Sequence, residues 1–99
     1  GDSLLHFAAK GSQPYMVHYL LLRGVKVTCM NKFNETPLFS SAEGGEINCV
    51  FRIVKEKDCK VEFQDKFGDT ALHFAARDGN LDICEFLLRK SKRLAKIKN

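Results

Sequence analysis

Apolar residues return at helical spacing in three separate stretches of the chain. Met16, Val17, Leu20 and Leu21 make the first, Ile47, Val50, Ile53 and Val54 the second, and Ile83, Cys84, Leu87 and Leu88 the third. Residues three and four apart share one face of an α-helix, so each stretch predicts a helix with a single apolar side. Ahead of each lies a shorter segment that opens on a hydroxyl residue, Ser3, Thr36 or Thr70, whose oxygen can accept an unpaired backbone N–H at a helix start. Pro37 follows Thr36 at the first helical position, where its missing N–H costs least. Gly11, Gly44 with Gly45, and Gly79 mark where the short helices stop. Asn31 to Glu35 and Asp65 to Asp69 read as polar loops. The pattern is helix, turn, helix, loop, written three times.

The wording repeats as well as the pattern. GDSLLHFAAK at residues 1–10 and GDTALHFAAR at 68–77 agree at seven of ten positions, and Asn34 to Ala42 supplies a midpoint copy 33 residues after the first and 34 before the third. One extra residue just before Asp58 accounts for the longer step. The units therefore run about 1–33, 34–67 and 68–91. No unit of this size can bury its apolar face alone, so neighbours must stack, each helix pair covering the next. Ala8-Ala9 and Ala75-Ala76 suit that stacking, because small side chains let backbones approach. The fold class this predicts is all-α, an α-solenoid of helix-turn-helix repeats.

Thr36-Pro37-Leu38, Leu-His-Phe-Ala-Ala at 5–9 and 72–76, and the leucine pairs at 20–21 and 87–88, at this period, resemble the ankyrin repeat over about residues 1–91. The resemblance implies β-turn fingers between the helix pairs and a partner protein docked on finger tips and the exposed short-helix face. Carried over position by position, that surface comprises Asp2, Lys32, Phe33, Glu35, Lys66, Phe67 and Asp69 at the fingers, and Lys10, Glu43, Arg77 and Asp78 on the helices. It also implies that His6 and His73 hydrogen-bond around the turn that starts their helix. Departures from the pattern matter. Phe39, Ser40 and Ser41 replace a histidine and small apolar residues, so the short helix of the second repeat is expected to pack weakest. The first repeat begins inside the pattern and its second helix is very apolar, so the chain is expected to be a fragment of a longer array, able to self-associate through the uncovered face of repeat 1. Ile83, Leu87, Lys90, Leu94 and Ile97 keep near-heptad spacing, and the last helix is expected to run on into the tail.

Charge changes the picture only at the end of the chain. All twelve acids and ten of the sixteen bases lie in residues 1–88, leaving that body at net −2, while six bases and no acid fall in the basic tail, residues 89–99. A phosphate-tracking groove needs Lys and Arg gathered on a folded surface, so nucleic acid or a membrane surface is not the partner this distribution favours. Arg89, Lys90, Lys92 and Arg93 admit three readings: a solvated helix end, a nuclear-import or anionic-surface patch, or a basic setting that makes Ser91 a kinase substrate.

Candidate chemistry is sparse. Cys29, Cys49, Cys59 and Cys84 form no C-x-x-C pair, and each reads as a small buried hydrophobe in a reduced intracellular protein, cytoplasmic or nuclear; a disulfide-stapled secreted domain is the rival. No nucleophile is paired by motif with His6, His18 or His73, and no metal, nucleotide or dinucleotide motif occurs. The expectation is no enzyme, no cofactor, no metal and no small-molecule substrate. The function expected is a protein–protein interaction module; nucleic-acid or acidic-lipid binding through the tail, or regulation of a larger enzyme or channel, are the alternatives.

Overall fold

The computed structural model describes residues 1–99. Its helices are α1 (Leu4–Lys10), α2 (Pro14–Leu22), α3 (Pro37–Gly44), α4 (Ile47–Val54), α5 (Ala71–Arg77) and α6 (Leu81–Lys90), followed by a short 3-10 turn over Lys92–Lys96. There is no strand. The short helices α1, α3 and α5 pack in one row, and the longer α2, α4 and α6 pack in a second row behind it. The core lies between the rows. Leu5, Ala9, Leu38, Ala42 and Ala75 face Val17, Val50, Ile53, Ile83 and Leu87, all buried. This is the two-layered stack that the tripled apolar pattern predicts, since each face left bare by one helix pair is closed by the next.

Local chemistry starts the helices where the hydroxyl residues stand. The Ser3 amide donates to His6 Nδ1 at 3.1 Å, and the His6 amide returns a bond to Ser3 Oγ at 3.3 Å. In the third repeat the Thr70 amide donates to His73 Nδ1 at 2.8 Å. A ring nitrogen here does what a Glu does in an ordinary capping box, satisfying an amide the helix cannot. The first short helix stops at Gly11 as expected, but Gly11 keeps a negative φ and Ser12 takes the left-handed conformation that follows, at φ 59°. Gly44 is required for another reason. A Cβ built there would lie 2.7 Å from the Ala9 carbonyl oxygen and 2.8 Å from that of Lys10, so α3 can approach the end of α1 only without one.

Two expectations are corrected by the packing. The short helix of the second repeat is the best covered of the three, with every residue from Pro37 to Ala42 buried. It sits in the middle of its row, where neighbours on both sides offset its poorer sequence. Ser41 Oγ donates to the Leu38 carbonyl at 2.7 Å, which pays the polar cost locally, and Phe39 meets Phe74 edge-on with ring centroids 5.2 Å apart. The last helix does not continue into the tail. Ser91 is extended, at φ −150° and ψ 108°, and redirects the chain so that Leu94 is buried and Ile97 packs beside it. The heptad-like spacing recorded burial, produced by a fold-back rather than by one long helix.

Met16 and three of the cysteines depart from the predicted core. Met16 is exposed, whereas its equivalents Cys49 and Ile83 are fully covered by the preceding repeat. Only Cys49 is buried; Cys29, Cys59 and Cys84 are half-buried, and all four thiols are free.

Candidate functional site

Two loops project beside the row of short helices. In the first, the Asn31 amide donates to the Glu35 carbonyl at 3.1 Å, while Asn31 Oδ1 accepts the amides of Phe33 and Glu35 at 2.9 and 3.0 Å. In the second, Asp65 plays the same part: its amide reaches the Asp69 carbonyl at 2.9 Å, and its Oδ1 accepts the amides of Phe67 and Asp69, each at 2.9 Å. A side-chain oxygen that takes two N–H groups from its own turn fixes the loop with few other contacts. Asn31 and Asp65 occupy one register of the repeat, and that shared position was the sequence signal for their role. Asp65 Oδ2 is buried and carries no hydrogen bond.

The fingers are joined to each other and to the helices behind them. The Lys66 amide donates to the Phe33 carbonyl at 2.8 Å, a single rung between neighbouring tips. Phe33 and Phe67 then lie with centroids 6.1 Å apart at an interplanar angle of 34°, and Lys32 Nζ sits 5.2 Å from the Phe33 ring centre. Phe33 remains 38% exposed and Phe67 63%. His6 Nε2 lies 2.7 Å from the Glu35 carbonyl. Because Nδ1 receives the Ser3 amide and Nε2 faces a carbonyl oxygen, the ring carries its proton on Nε2 and ties α1 to the first finger. His6 and His73 each close on their own helix start, so neither meets the other. His18 is exposed and accepts from Arg52 Nε at 2.8 Å.

The residues assigned to the docking surface divide into two groups. Lys32, Phe33, Lys66 and Phe67 stand at the tips, exposed. On the helices Lys10 Nζ and Glu43 Oε1 pair at 3.7 Å, Arg77 lies over the Phe74 ring at 5.1 Å, and Asp78 is exposed at the end of α5. Three carboxylates assigned to that surface form hydrogen bonds within the molecule. Asp69 is only 7% exposed, with Oδ2 3.3 Å from Arg77 Nη2 and Oδ1 accepting from Asn99 Nδ2 at 2.8 Å. Asp2 and Glu35 accept from Asn31 Nδ2 at 2.8 and 3.0 Å. These acids brace the fingers. In the basic tail, Lys90 Nζ lies 5.4 Å from the centre of the Phe86 ring and Arg93 lies 3.7 Å from Glu62, while Arg89 and Lys92 point into solvent.

A family model of three ankyrin repeats matches residues 5–98. The chain belongs to the ankyrin repeat family. Human ASB11's ankyrin repeat domain, in its crystal structure, shares the fold of this ankyrin repeat chain with a TM-score of 0.86 at 23% identity, over 91% of this chain and 40% of that one. Among curated relatives, alpha-latrotoxin-Lhe1a of Latrodectus hesperus is 32% identical over 80 residues, 80% of this chain and 6% of the toxin. Ankyrin repeat domain-containing protein 37 of Xenopus tropicalis is 31% identical over 87 residues, 88% of this chain and 53% of that protein. Human transient receptor potential cation channel subfamily A member 1 is 32% identical over 92 residues, 91% of this chain and 8% of the channel. The ankyrin chain thus spans about half or less of each of these relatives. Ankyrin repeats are generally protein–protein interaction modules without enzymatic activity of their own, and no helix of this one is long and apolar enough to cross a membrane.

Proposed function

We propose that the chain grips a partner protein through its two finger tips and the adjoining short-helix face, with Phe33 and Phe67 as the apolar centre and Lys32 and Lys66 as the flanking charges. The observation that carries this reading is the tilted, partly exposed Phe33–Phe67 pair held by the Lys66-to-Phe33 backbone rung. An aromatic pair already ordered in the free protein loses little freedom on binding, so its contact area goes into affinity. With cations at both tips and the nearby carboxylates engaged internally, the partner segment it fits is apolar with an acidic flank. The basic tail supports nucleic-acid or lipid binding less well, because its chain is folded against the third repeat. Four free thiols favour a reducing compartment, inside the cell.

The test is Phe33→Ala with Phe67→Ala, compared with the unaltered chain in pull-downs read by mass spectrometry. The helical circular dichroism should persist, while partner recovery should fall by the equivalent of about 2 kcal/mol or more, the usual cost of truncating an aromatic anchor. Partners recovered equally by both chains reject the tips as the site.

A second reading rests on the opposite end of the stack. Leu4, Phe7, Ala8, Met16 and Leu20 line an apolar hollow on repeat 1, with Leu4 72% and Phe7 62% exposed. A surface of that kind supports pairing with a second copy.

A further inference from the structure

The geometry points to Ser91 as a phosphoacceptor site whose modification releases the tail from the third repeat. Three independent features meet at this residue. It is framed on both sides by Arg89-Lys90 and Lys92-Arg93, the setting that basophilic serine kinases read. It is the residue at which α6 stops, its amide donating to the Leu87 carbonyl at 3.0 Å and its backbone extended. Its hydroxyl donates to Glu62 Oε2, so the tail is fastened to the loop that follows α4 through one carboxylate.

Transfer of the γ-phosphoryl group of a nucleoside triphosphate to Ser91 Oγ breaks the bond to the leaving nucleoside diphosphate and forms the ester. The hydroxyl proton passes to the kinase's base. The product has lost its donor and carries roughly −1.5 to −2 charge at pH 7. That charge would stand against Glu62 and at the carbonyl end of α6, where an anion is disfavoured. The groups facing it are Glu62 on the loop, Arg93 on the 3-10 turn, 3.7 Å from Glu62, and Arg89, Lys90 and Lys92 on the chain itself. Lys92 and Arg93 are exposed on the tail and move with the phosphate, whereas Arg89 and Lys90 stay on the last turn of α6 and can reach it only on exposed, flexible stems. Glu62 is half-buried and remains behind. The balance therefore favours the phosphate leaving with Lys92 and Arg93, which withdraws Leu94 from its slot.

Release has a consequence at the finger. Asn99 Nδ2 holds Asp69 Oδ1 at 2.8 Å, and Gln64 Nε2 bridges the Gly68 carbonyl at 2.8 Å and the Lys98 carbonyl at 3.4 Å. A departing tail removes these braces from the loop that carries Phe67. Weaker grip on the partner then follows, and this last step rests on the finger-tip reading of function.

The chain is treated with a basophilic serine kinase and ATP, and amide hydrogen exchange is followed at Leu94 and Ile97, whose amides donate to Ser91 and Leu94. Phosphorylated chain should exchange both roughly tenfold faster or more, the size of losing one hydrogen bond to a charged group. Ser91→Ala should accept no phosphate, and Glu62→Gln should remove most of the acceleration, since the repelling charge is gone. Equal exchange before and after phosphorylation, failure of the kinase to modify Ser91, or full acceleration in Glu62→Gln overturns the proposal. Faster exchange with undiminished partner recovery would leave the switch standing and reject only its link to the finger tips.

Discussion

His6 and Phe39 occupy the same position in successive repeats and show how one side chain divides the work of a turn. His6 caps its own helix and hydrogen-bonds the next finger, whereas Phe39 can do neither and adds an aromatic contact to the core instead. The second finger is consequently braced by Arg77 and Asn99 through Asp69. The cysteines carry a prediction at this scale. Burial, with Glu46 nearby, pushes the Cys49 thiol up to about 11 from 9.0, and burial with Glu56 does the same for Cys59. Only the thiolate reacts, so a raised pKa slows alkylation at any pH below it. At pH 8 with iodoacetamide, both should react roughly 100-fold more slowly in the native chain than in urea, the ratio that a shift of two pH units implies. Equal native and denatured rates, read by mass spectrometry, would contradict this. That His6 serves structure was legible from its place in the repeated phrase, whereas the inward turn of Asp69 was not, because the residue that claims it, Asn99, lies far along the chain.

Helices and fingers were legible wherever the signal was local. Hydroxyl residues at helix starts and apolar residues three and four apart placed all six helices, since both patterns arise from contacts within one or two turns. The coverage of α3 and the break at Ser91 depend on neighbours, and no local pattern reports them. Residue spacing at Leu87, Leu94 and Ile97 looked like one helix because a fold-back buries the same residues. Gly44 offers a test of how closely α1 and α3 meet. Gly44→Ala forces a methyl group onto the Ala9 and Lys10 carbonyls, and since the obstructing atoms are backbone, they cannot rotate aside. The expected loss is about 1–3 kcal/mol, the usual cost of overpacking, measured as a lower urea midpoint with an unchanged slope. A variant as stable as the parent would mean that the two helices sit further apart.

Across the whole molecule the two ends of the stack differ. The last repeat is closed by Leu94 and Ile97, while the first leaves Leu4, Phe7 and Met16 open. On the reading that repeat 1 pairs with a second copy, the tail stands in the way of head-to-tail stacking, and the pairing expected is open end to open end, a closed dimer rather than a filament. Sedimentation should show a concentration-dependent dimer that Leu4→Ser with Phe7→Ser abolishes; a chain that is monomeric throughout, or a variant that still dimerises, rules this out. The period of the sequence foretold the stack, and the apolar excess of the first repeat foretold its bare face. The closed end was hidden, since six bases in eleven residues look like a solvated extension. One consequence follows from how the fingers are tied. The first is held by a histidine from the unit before it and the second by Arg77 and Asn99 from the chain that follows it, so the shared aromatic tip is moored from both directions along the polypeptide, and slackening either mooring is expected to shift one ring against the other.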